Sequence, residues 1–120
     1  MPRVITETVR EAVALRHAEN PDHLGLHLGS VVLKANIPIQ AVAQLLTASE
    51  ATAYRWIYGD SEPRAVYHPN IRRLITILNK ALRAGDAPLS GTHAERMAAI
   101  PELVTKHKAL PKRSEFVGVE

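Results

Sequence analysis

The stretch I-Q-A-V-A-Q-L-L-T-A-S-E-A-T-A-Y-R-W-I-Y-G, from Ile39 to Gly59, decides the fold of this chain. Apolar residues recur at helical spacing on both sides of a polar break at Thr47-Ala48, which predicts one short helix before the break and one after it. Ser49 is a typical N-cap for the second helix, and Gly59 is a typical left-handed residue just beyond its end.

Each helix of this pair has one apolar face. The inward positions are Val42, Ala43 and Leu46 on the first helix, and Ala53, Trp56 and Ile57 on the second. Because Ala43 is small, the two helices can cross closely at a steep angle, which is the spacing that a helix-turn-helix needs. The residues that remain facing outward from the second helix are Ser49, Glu50, Ala51, Tyr54, Arg55 and Tyr58.

The rest of the sequence is predicted to be helical as well, so the expected fold class is all-α with five to six helices. The further helices are predicted at Val4 to about Ala18, Asp22 (as the cap) to Ala35, Pro69 to Gly85, and 93–108. Asp60 to His68 is predicted to be a loop. The expected organisation is an N-terminal amphipathic helix (1–20), a helix-turn-helix domain (22–85), and a C-terminal helix with a flexible tail (91–120).

Two glycines lie inside the second predicted helix. Gly25 and Gly29 are four residues apart, and each weakens an isolated helix by roughly 1 kcal/mol relative to Ala. Two glycines on one face indicate that another helix packs closely there; the alternative is that they only fray the helix.

The last predicted helix begins and ends with its own signals. Thr92 and Glu95 have the spacing of a capping box, and Pro101 predicts a break or kink inside the helix. An apolar stripe runs along it, formed by Met97, Ile100, Leu103 and Val104. This stripe is a candidate surface for a homodimer, or else it closes the core of the monomer.

Composition excludes several classes of function. The chain has no cysteine, which excludes disulfides, thiolate zinc sites, iron–sulfur clusters and a cysteine nucleophile. Neither a Gly-rich phosphate loop nor a G-x-S-x-G elbow occurs, so neither an enzyme nor a cofactor is expected. His23 and His27 have metal-ligand spacing but lack the Glu of H-E-x-x-H, and no metal site is predicted. No run approaches the ~20 apolar residues of a membrane span, and the charged N-terminus is unlike a signal peptide, so a cytoplasmic protein without a membrane partner is expected.

Charge is unevenly distributed along the chain. The net charge is +3, and residues 61–90 alone carry five basic residues against two acidic ones. Residues 31–60 are balanced, with two of each sign. The sequence isoelectric point near 9.5 is compatible with a polyanionic partner such as nucleic acid.

The stretch from about Leu24 to Leu82 resembles the helix-turn-helix domains of phage repressors, Cro proteins and Xre-type regulators. The resemblance rests on the inward Ala43, the run T-A-Y-R-W at 52–56, Gly59, Pro63, and the apolar helix N-I-R-R-L-I-T-I-L-N-K-A-L that follows. The chain departs from the family at several positions. The first motif helix of the family often begins with Gln, but here Ile39 has that place and Gln40 follows it. Thr47 replaces the Gly that is common in the turn, and Ala48 and Ala53 replace branched residues. The loop 64–68 is longer than is usual in the family.

The resemblance implies a transcription regulator of phage or bacterial type whose second motif helix enters the major groove of double-stranded DNA. The candidate DNA-contacting residues are Ser49, Glu50, Ala51, Tyr54, Arg55, Tyr58, Arg64, Arg72 and Arg73. Arg55 suits a guanine or a phosphate, Glu50 a cytosine amino group, and Ala51 a thymine methyl group.

Simpler roles remain open for several of these residues. Glu50 has the place of an ordinary first-turn helix charge, and Tyr58 that of a residue covering the edge of the core. Arg72 and Arg73 are predicted in the first turn of the fifth helix, where cations are mildly unfavourable; they face either a phosphate or only solvent.

Two assemblies are compatible with this fold. One is a homodimer on a palindromic operator, because a single helix-turn-helix contacts too few base pairs to be specific. The other is a protein–protein interaction module that binds a polymerase or another regulator, a role favoured by the balanced charge of residues 31–60.

Overall fold

The computed structural model describes residues 7–108, and within that range it contains six α-helices, one short 3₁₀ helix and no strand. The helices are α1 (Glu7–Glu19), α2 (Leu24–Lys34), α3 (Ile39–Leu46), α4 (Glu50–Tyr58), α5 (His68–Ala84) and α6 (His93–Lys108), and the 3₁₀ helix is Ala65–Tyr67. The all-α fold class is therefore confirmed for these residues. The predicted beginning of the first helix at Val4 and the predicted tail lie outside the described residues. Over this same range, no helix combines the length and the apolar character needed to cross a membrane.

The turn between α3 and α4 forms as its sequence predicts. Thr47 adopts a left-handed conformation with φ of 58°, which reverses the chain after α3. The Ser49 hydroxyl oxygen then accepts a hydrogen bond from the Thr52 backbone N–H at 3.1 Å and caps α4. Gly59 ends α4 with φ of 83°. A β-branched residue at positive φ is uncommon, so Thr47 is held there by the elements on either side of it.

α2 lies at the centre of the molecule and packs against α1, α4 and α5. A Cβ atom on Gly25 would lie 2.5 Å from the Trp56 carbonyl oxygen, and one on Gly29 would lie 2.6 Å from the Ile57 carbonyl oxygen. The two helices approach so closely that only glycine fits between their backbones. The close packing predicted from these glycines is confirmed, and the neighbouring helix is α4.

The core is aliphatic and contains one buried aromatic residue. Trp56 is 3 % exposed, and its ring contacts the edge of Tyr67 at a centroid distance of 4.8 Å. The predicted inward residues of α3 and α4 are all buried: Val42, Ala43, Leu46, Ala53, Trp56 and Ile57. Burial of these side chains is the main stabilising contribution to the α3–α4 arrangement.

The structure corrects three local predictions. Asp22 does not cap α2; instead the His23 Nδ1 atom accepts a hydrogen bond from the Leu26 backbone N–H at 3.1 Å. Of the break or kink predicted at Pro101, the structure shows no break: α6 continues through this residue, and Ile100 and Leu103 on either side of it are buried in the core.

α5 begins at His68, one residue before the predicted Pro69, and a 3₁₀ helix interrupts the predicted loop. This earlier beginning places Arg72 and Arg73 beyond the first turn of α5, so the expected conflict with its helix dipole is weaker there.

Both ends of α6 are held. The capping box forms as predicted, with the Thr92 N–H donating to Glu95 Oε1 at 2.7 Å and the Glu95 N–H donating to Thr92 Oγ1 at 3.1 Å. At the other end, His107 Nε2 and Lys106 Nζ lie 2.7 and 2.9 Å from Asp86 Oδ2. The hydrogen bond from Lys106, and then that from His107, lower the pKa of Asp86.

The apolar stripe of α6 packs into the monomer's own core. Ile100 and Leu103 are buried, and Met97 and Val104 are half-buried against the same cluster. Of the two roles that the sequence allowed for this stripe, the structure shows that it closes the core. The stripe is therefore not available as a dimer surface while α6 is packed in this way.

Asn36 connects four parts of the chain. It lies in the turn between α2 and α3 with φ of 57°, and its Nδ2 atom donates to the Leu89 carbonyl oxygen at 2.7 Å. Its Oδ1 atom accepts from Arg10 of α1 at 3.4 Å and from Arg96 of α6 at 3.3 Å. This side chain fixes the beginning of α6 beside the beginning of α3.

Candidate nucleic-acid interface

The outward face of α4 is the first part of the candidate site. Ser49, Glu50, Ala51 and Arg55 are exposed, as their sequence positions predict. Of these, Ser49 is already engaged in the helix cap, since its hydroxyl also contacts Thr52 Oγ1 at 2.8 Å. The side chains with the most freedom to contact a partner are therefore Glu50, Ala51 and Arg55.

The two tyrosines of α4 differ from these residues. Tyr54 and Tyr58 stack with ring centroids 5.9 Å apart and planes within 7°, and both are half-buried against the core. The Tyr58 carbonyl oxygen also accepts a hydrogen bond from the Arg16 guanidinium of α1. The half-buried position of Tyr58 matches the simpler role predicted for it, at the edge of the core. The hydrogen bond from Arg16 connects α1 directly to the C-terminal end of α4.

The arginines that follow α4 form a separate group. Arg64, which precedes the 3₁₀ helix, and Arg72 and Arg73, which lie on α5, are all exposed. None of the three lines the pocket at the beginnings of α3 and α4 described next. The three arginines are called the flank below, and Glu50 and Tyr54 are the predicted site residues that line this pocket.

A small pocket of about 70 Å³ lies where the beginnings of α3, α4 and α6 meet. Its lining includes Gln40 from α3, Glu50 and Tyr54 from α4, and His93 and Arg96 from α6. His93 Nε2 lies 2.9 Å from Gln40 Oε1, and since this oxygen only accepts, the histidine ring donates. α3 has no side-chain cap, because Pro38 occupies its N-cap position.

The contribution of α6 to this pocket was missed by sequence reasoning. His93 and Gln40 are separated by 53 positions, so no local pattern connects them. One signal was present: Arg96 is a basic residue in the first turn of a helix, where the helix dipole disfavours cations.

The histidines with metal-ligand spacing have other partners. His23 caps α2 with its Nδ1 atom, and the ring of His27 stacks on that of His17 at 4.8 Å. Burial, and then the neighbouring His17, lower the pKa of His27. No group of three or more potential metal ligands occurs in the part of the chain that the structure describes.

Comparisons with known proteins give no match to a family model, a curated protein or a solved structure.

Proposed function

We propose that this chain is a sequence-specific, double-stranded DNA-binding transcription regulator of phage or bacterial type, with a lambda-repressor-like helix-turn-helix formed by α3 and α4. One observation carries the proposal: α4 is buried on one side by Trp56 and Ile57 and presents Glu50, Ala51 and Arg55 on the other, directly after a tight turn from α3. An exposed short helix held on a rigid core has the dimensions required to enter a major groove.

The exposed groups of α4 have distinct roles in this proposal. Arg55 donates to guanine O6 and N7, Glu50 accepts from a cytosine amino group, and Ala51 contacts a thymine methyl group. Ser49 remains mainly a helix cap, and Tyr54 offers its hydroxyl to the sugar–phosphate backbone. Arg64, Arg72 and Arg73 of the flank neutralise phosphates and fix the register of the protein on the duplex without contributing to base preference.

The close contact between α2 and α4 supports this proposal mechanically. Because the backbones meet at Gly25 and Gly29, α4 has little freedom to tilt or slide. Contacts with bases become weaker when a side chain is displaced by even about 1 Å, so a rigidly positioned α4 favours sequence specificity. Arg16 adds a second restraint at the end of α4.

The proposal is tested by selecting binding sites from random duplex DNA and then comparing two variants on the selected site. We expect Arg55→Ala to cost about 1–3 kcal/mol and to relax the preference at one base position. Arg72→Ala should weaken binding to all sequences equally and reduce the salt slope by about one. Arg83→Ala, which removes an exposed charge at the far end of α5, is the matched control. An unchanged affinity of Arg55→Ala for the selected site would show that α4 is not the recognition helix.

The alternative is a protein–protein interaction module, and one observation favours it. Residues 31–60, which include α3 and α4, carry no net charge, and Leu45 of α3 remains 39 % exposed. DNA binding weakens steeply with salt, whereas an apolar protein interface does not. Failure to enrich any motif from random duplexes, together with salt-insensitive binding to a transcription protein, would favour this alternative.

A homodimer on a palindromic site belongs to the same proposal, because two symmetric units double the contacted sequence. Since the α6 stripe packs in its own core, the dimer would use another surface. Sedimentation of the full chain, alone and on a palindromic duplex, tests this. A species that stays monomeric under both conditions at micromolar concentration would refute the dimer.

A further inference from the structure

α1 is attached to the rest of the fold by few apolar contacts. Among residues 8–19, Val13 is the one fully buried residue, and Val9 is partly buried against the same core. The stabilisation that comes from burying apolar surface is therefore small for this helix. A helix that buries so little can separate from its neighbour while the rest of the core stays folded.

A pair of histidines lies in the contact between α1 and α2. The rings of His17 and His27 stack with centroids 4.8 Å apart and an angle of 12° between their planes. Ser30 supports this geometry: its hydroxyl donates to the His27 carbonyl oxygen at 3.1 Å, and its oxygen lies 3.5 Å from His17 Nδ1. Neutral rings pack favourably at this separation, whereas two protonated rings would hold like charges there and repel each other.

The surroundings of the pair do not compensate a second positive charge. His17 shares a groove of about 390 Å³ between α1 and α2 with three charged side chains, which sum to one positive charge: Arg10, Glu11 and Lys34. His23, the other histidine of α2, caps that helix with its Nδ1 atom. Burial, and then the charge of His17, lower the pKa of His27, and no other charge of the described residues contributes to this shift.

α1 also contacts the proposed recognition helix. The Arg16 guanidinium donates to the Tyr58 carbonyl oxygen at the end of α4, and Arg16 directly precedes His17 in the sequence. Separation of α1 from α2 would break this hydrogen bond as well. The histidine pair and the restraint on α4 therefore belong to one contact.

We propose that the stacked pair of His17 and His27 is a pH-sensitive switch: when both rings are protonated, α1 separates from α2, and α4 loses the restraint that Arg16 provides. The direction follows from linkage. The docked state binds fewer protons than the separated state, so falling pH favours separation. The consequence for DNA binding rests on the proposed function, whereas the release of α1 does not.

Release of α1 is measured by energy transfer from Trp56, the single Trp of the chain, to a dansyl group on Leu15→Cys. The natural sequence has no cysteine, and Leu15 is 61 % exposed on α1, so the label is specific and lies away from the core. We expect roughly half of the transfer measured at about pH 7.5 to be lost at about pH 5, while far-UV circular dichroism keeps most of its helical signal. Comparison with unlabelled protein at each pH removes any direct effect of pH on Trp56 emission.

The switch predicts a specific pattern among variants. His17→Gln, His27→Gln and the double variant should all keep the transfer nearly constant between the two pH values, because a single charged ring has no charged partner. If a Gln variant already shows low transfer at about pH 7.5, His27→Phe, which retains a stacking ring that cannot be protonated, replaces it in the comparison. His93→Gln removes an exposed histidine of α6 and is the matched control; it should respond as the wild type does.

Three results would overturn the switch. One is transfer that does not change with pH in the wild type, and another is a pH response that persists in His17→Gln or His27→Gln. The third is a loss of helical signal with the same midpoint as the loss of transfer, since the whole domain would then unfold together.

Binding to the selected DNA site tests the connection to α4. Protonated histidines strengthen DNA binding in general, so the wild type is compared with His27→Gln rather than with itself at another pH. Between about pH 7.5 and about pH 5, the affinity of the wild type should fall about fivefold or more relative to that of His27→Gln. In the background of Arg16→Gln, which lacks the contact with Tyr58, His and Gln at position 27 should give equal changes.

The failures of the two proposals are distinguishable. An equal change of affinity in the wild type and His27→Gln would refute the connection to α4 and leave the proposed function intact. If the wild-type chain binds no duplex at any pH, the proposed function fails, and the energy transfer still decides whether α1 is released.

Discussion

Gly29→Ala is the substitution that most directly tests how α4 is held. The new Cβ atom would lie 2.6 Å from the Ile57 carbonyl oxygen and 2.9 Å from Ile57 Cγ2, whereas ordinary contact begins at 3.4 Å. The first distance falls short by about 0.8 Å, and a backbone carbonyl cannot rotate away as a flexible side chain would. The backbones of α2 and α4 must therefore separate locally.

The expected change in the free energy of unfolding follows from two opposed effects of Gly29→Ala. Ala improves the helix propensity of α2 by about 1 kcal/mol, and overpacking costs about 1–3 kcal/mol. Because the obstructing atom is backbone, we expect the upper part of that cost and a net loss of about 1–2 kcal/mol in the free energy of unfolding. A displaced α4 should also weaken binding to the selected DNA site beyond what the loss of stability explains.

The assay is urea denaturation followed by Trp56 fluorescence, with DNA affinity measured on the folded protein. Gly85→Ala is the matched control, because a Cβ there has no neighbour within 4 Å and only its φ of 82° is unfavourable. We expect this control to lose about 1 kcal/mol of stability without any change in DNA affinity. A Gly29→Ala protein that is as stable as the wild type, or more stable, would refute the close approach of α2 and α4.

Three further predictions concern stability. Trp56→Ala should cost about 3–5 kcal/mol because it removes a buried indole, and wild-type Trp56 emission should be blue-shifted; a red-shifted emission would contradict its burial. The pKa of His27 is lowered from 6.5 by burial and by His17, so the unfolded state binds more protons and stability should fall as the pH drops below about 6.5. Between about pH 7.5 and about pH 5.5, the urea midpoint should change less in His27→Gln than in the wild type. An equal change in the two proteins would exclude His27 as the source of the pH dependence. Asn36→Gly removes the side-chain hydrogen bonds but tolerates the positive φ, so it should lose less stability than Asn36→Ala. A lower melting temperature for Asn36→Gly than for Asn36→Ala would refute the contribution of the positive φ to the cost of the Ala substitution.

The local signals of this sequence are strong, and they account for the parts that were predicted well. The limits of α3 and α4 depend on Ser49 and Gly59, whose preferences act within one helical turn. The capping box of Thr92 and Glu95 likewise forms between neighbours in the sequence. Such features need no tertiary structure to be recognised.

At Pro101 tertiary packing outweighs a local preference, and at the beginning of α2 the predicted capping residue is wrong by one position. Pro101 favours a break in α6, but burial of Ile100 and Leu103 on either side of it keeps the helix continuous. Asp22 is a good capping residue by type, yet the cap of α2 is His23. Propensities of about 1 kcal/mol decide a helix end only where packing does not act against them.

The sequence alone determined the helical class, the position of the turn before α4, and the face of α4 that is exposed, because hydrophobic periodicity and capping are properties of adjacent residues. Only the tertiary structure decided that α6 closes the core and that its first turn lies beside α3. That arrangement depends on Asn36, which bonds to Leu89 and Arg96, and on the contact of His93 with Gln40. These hydrogen bonds join residues that are 53 and 60 positions apart in the sequence. The periodicity of a single sequence does not predict contacts at such separations.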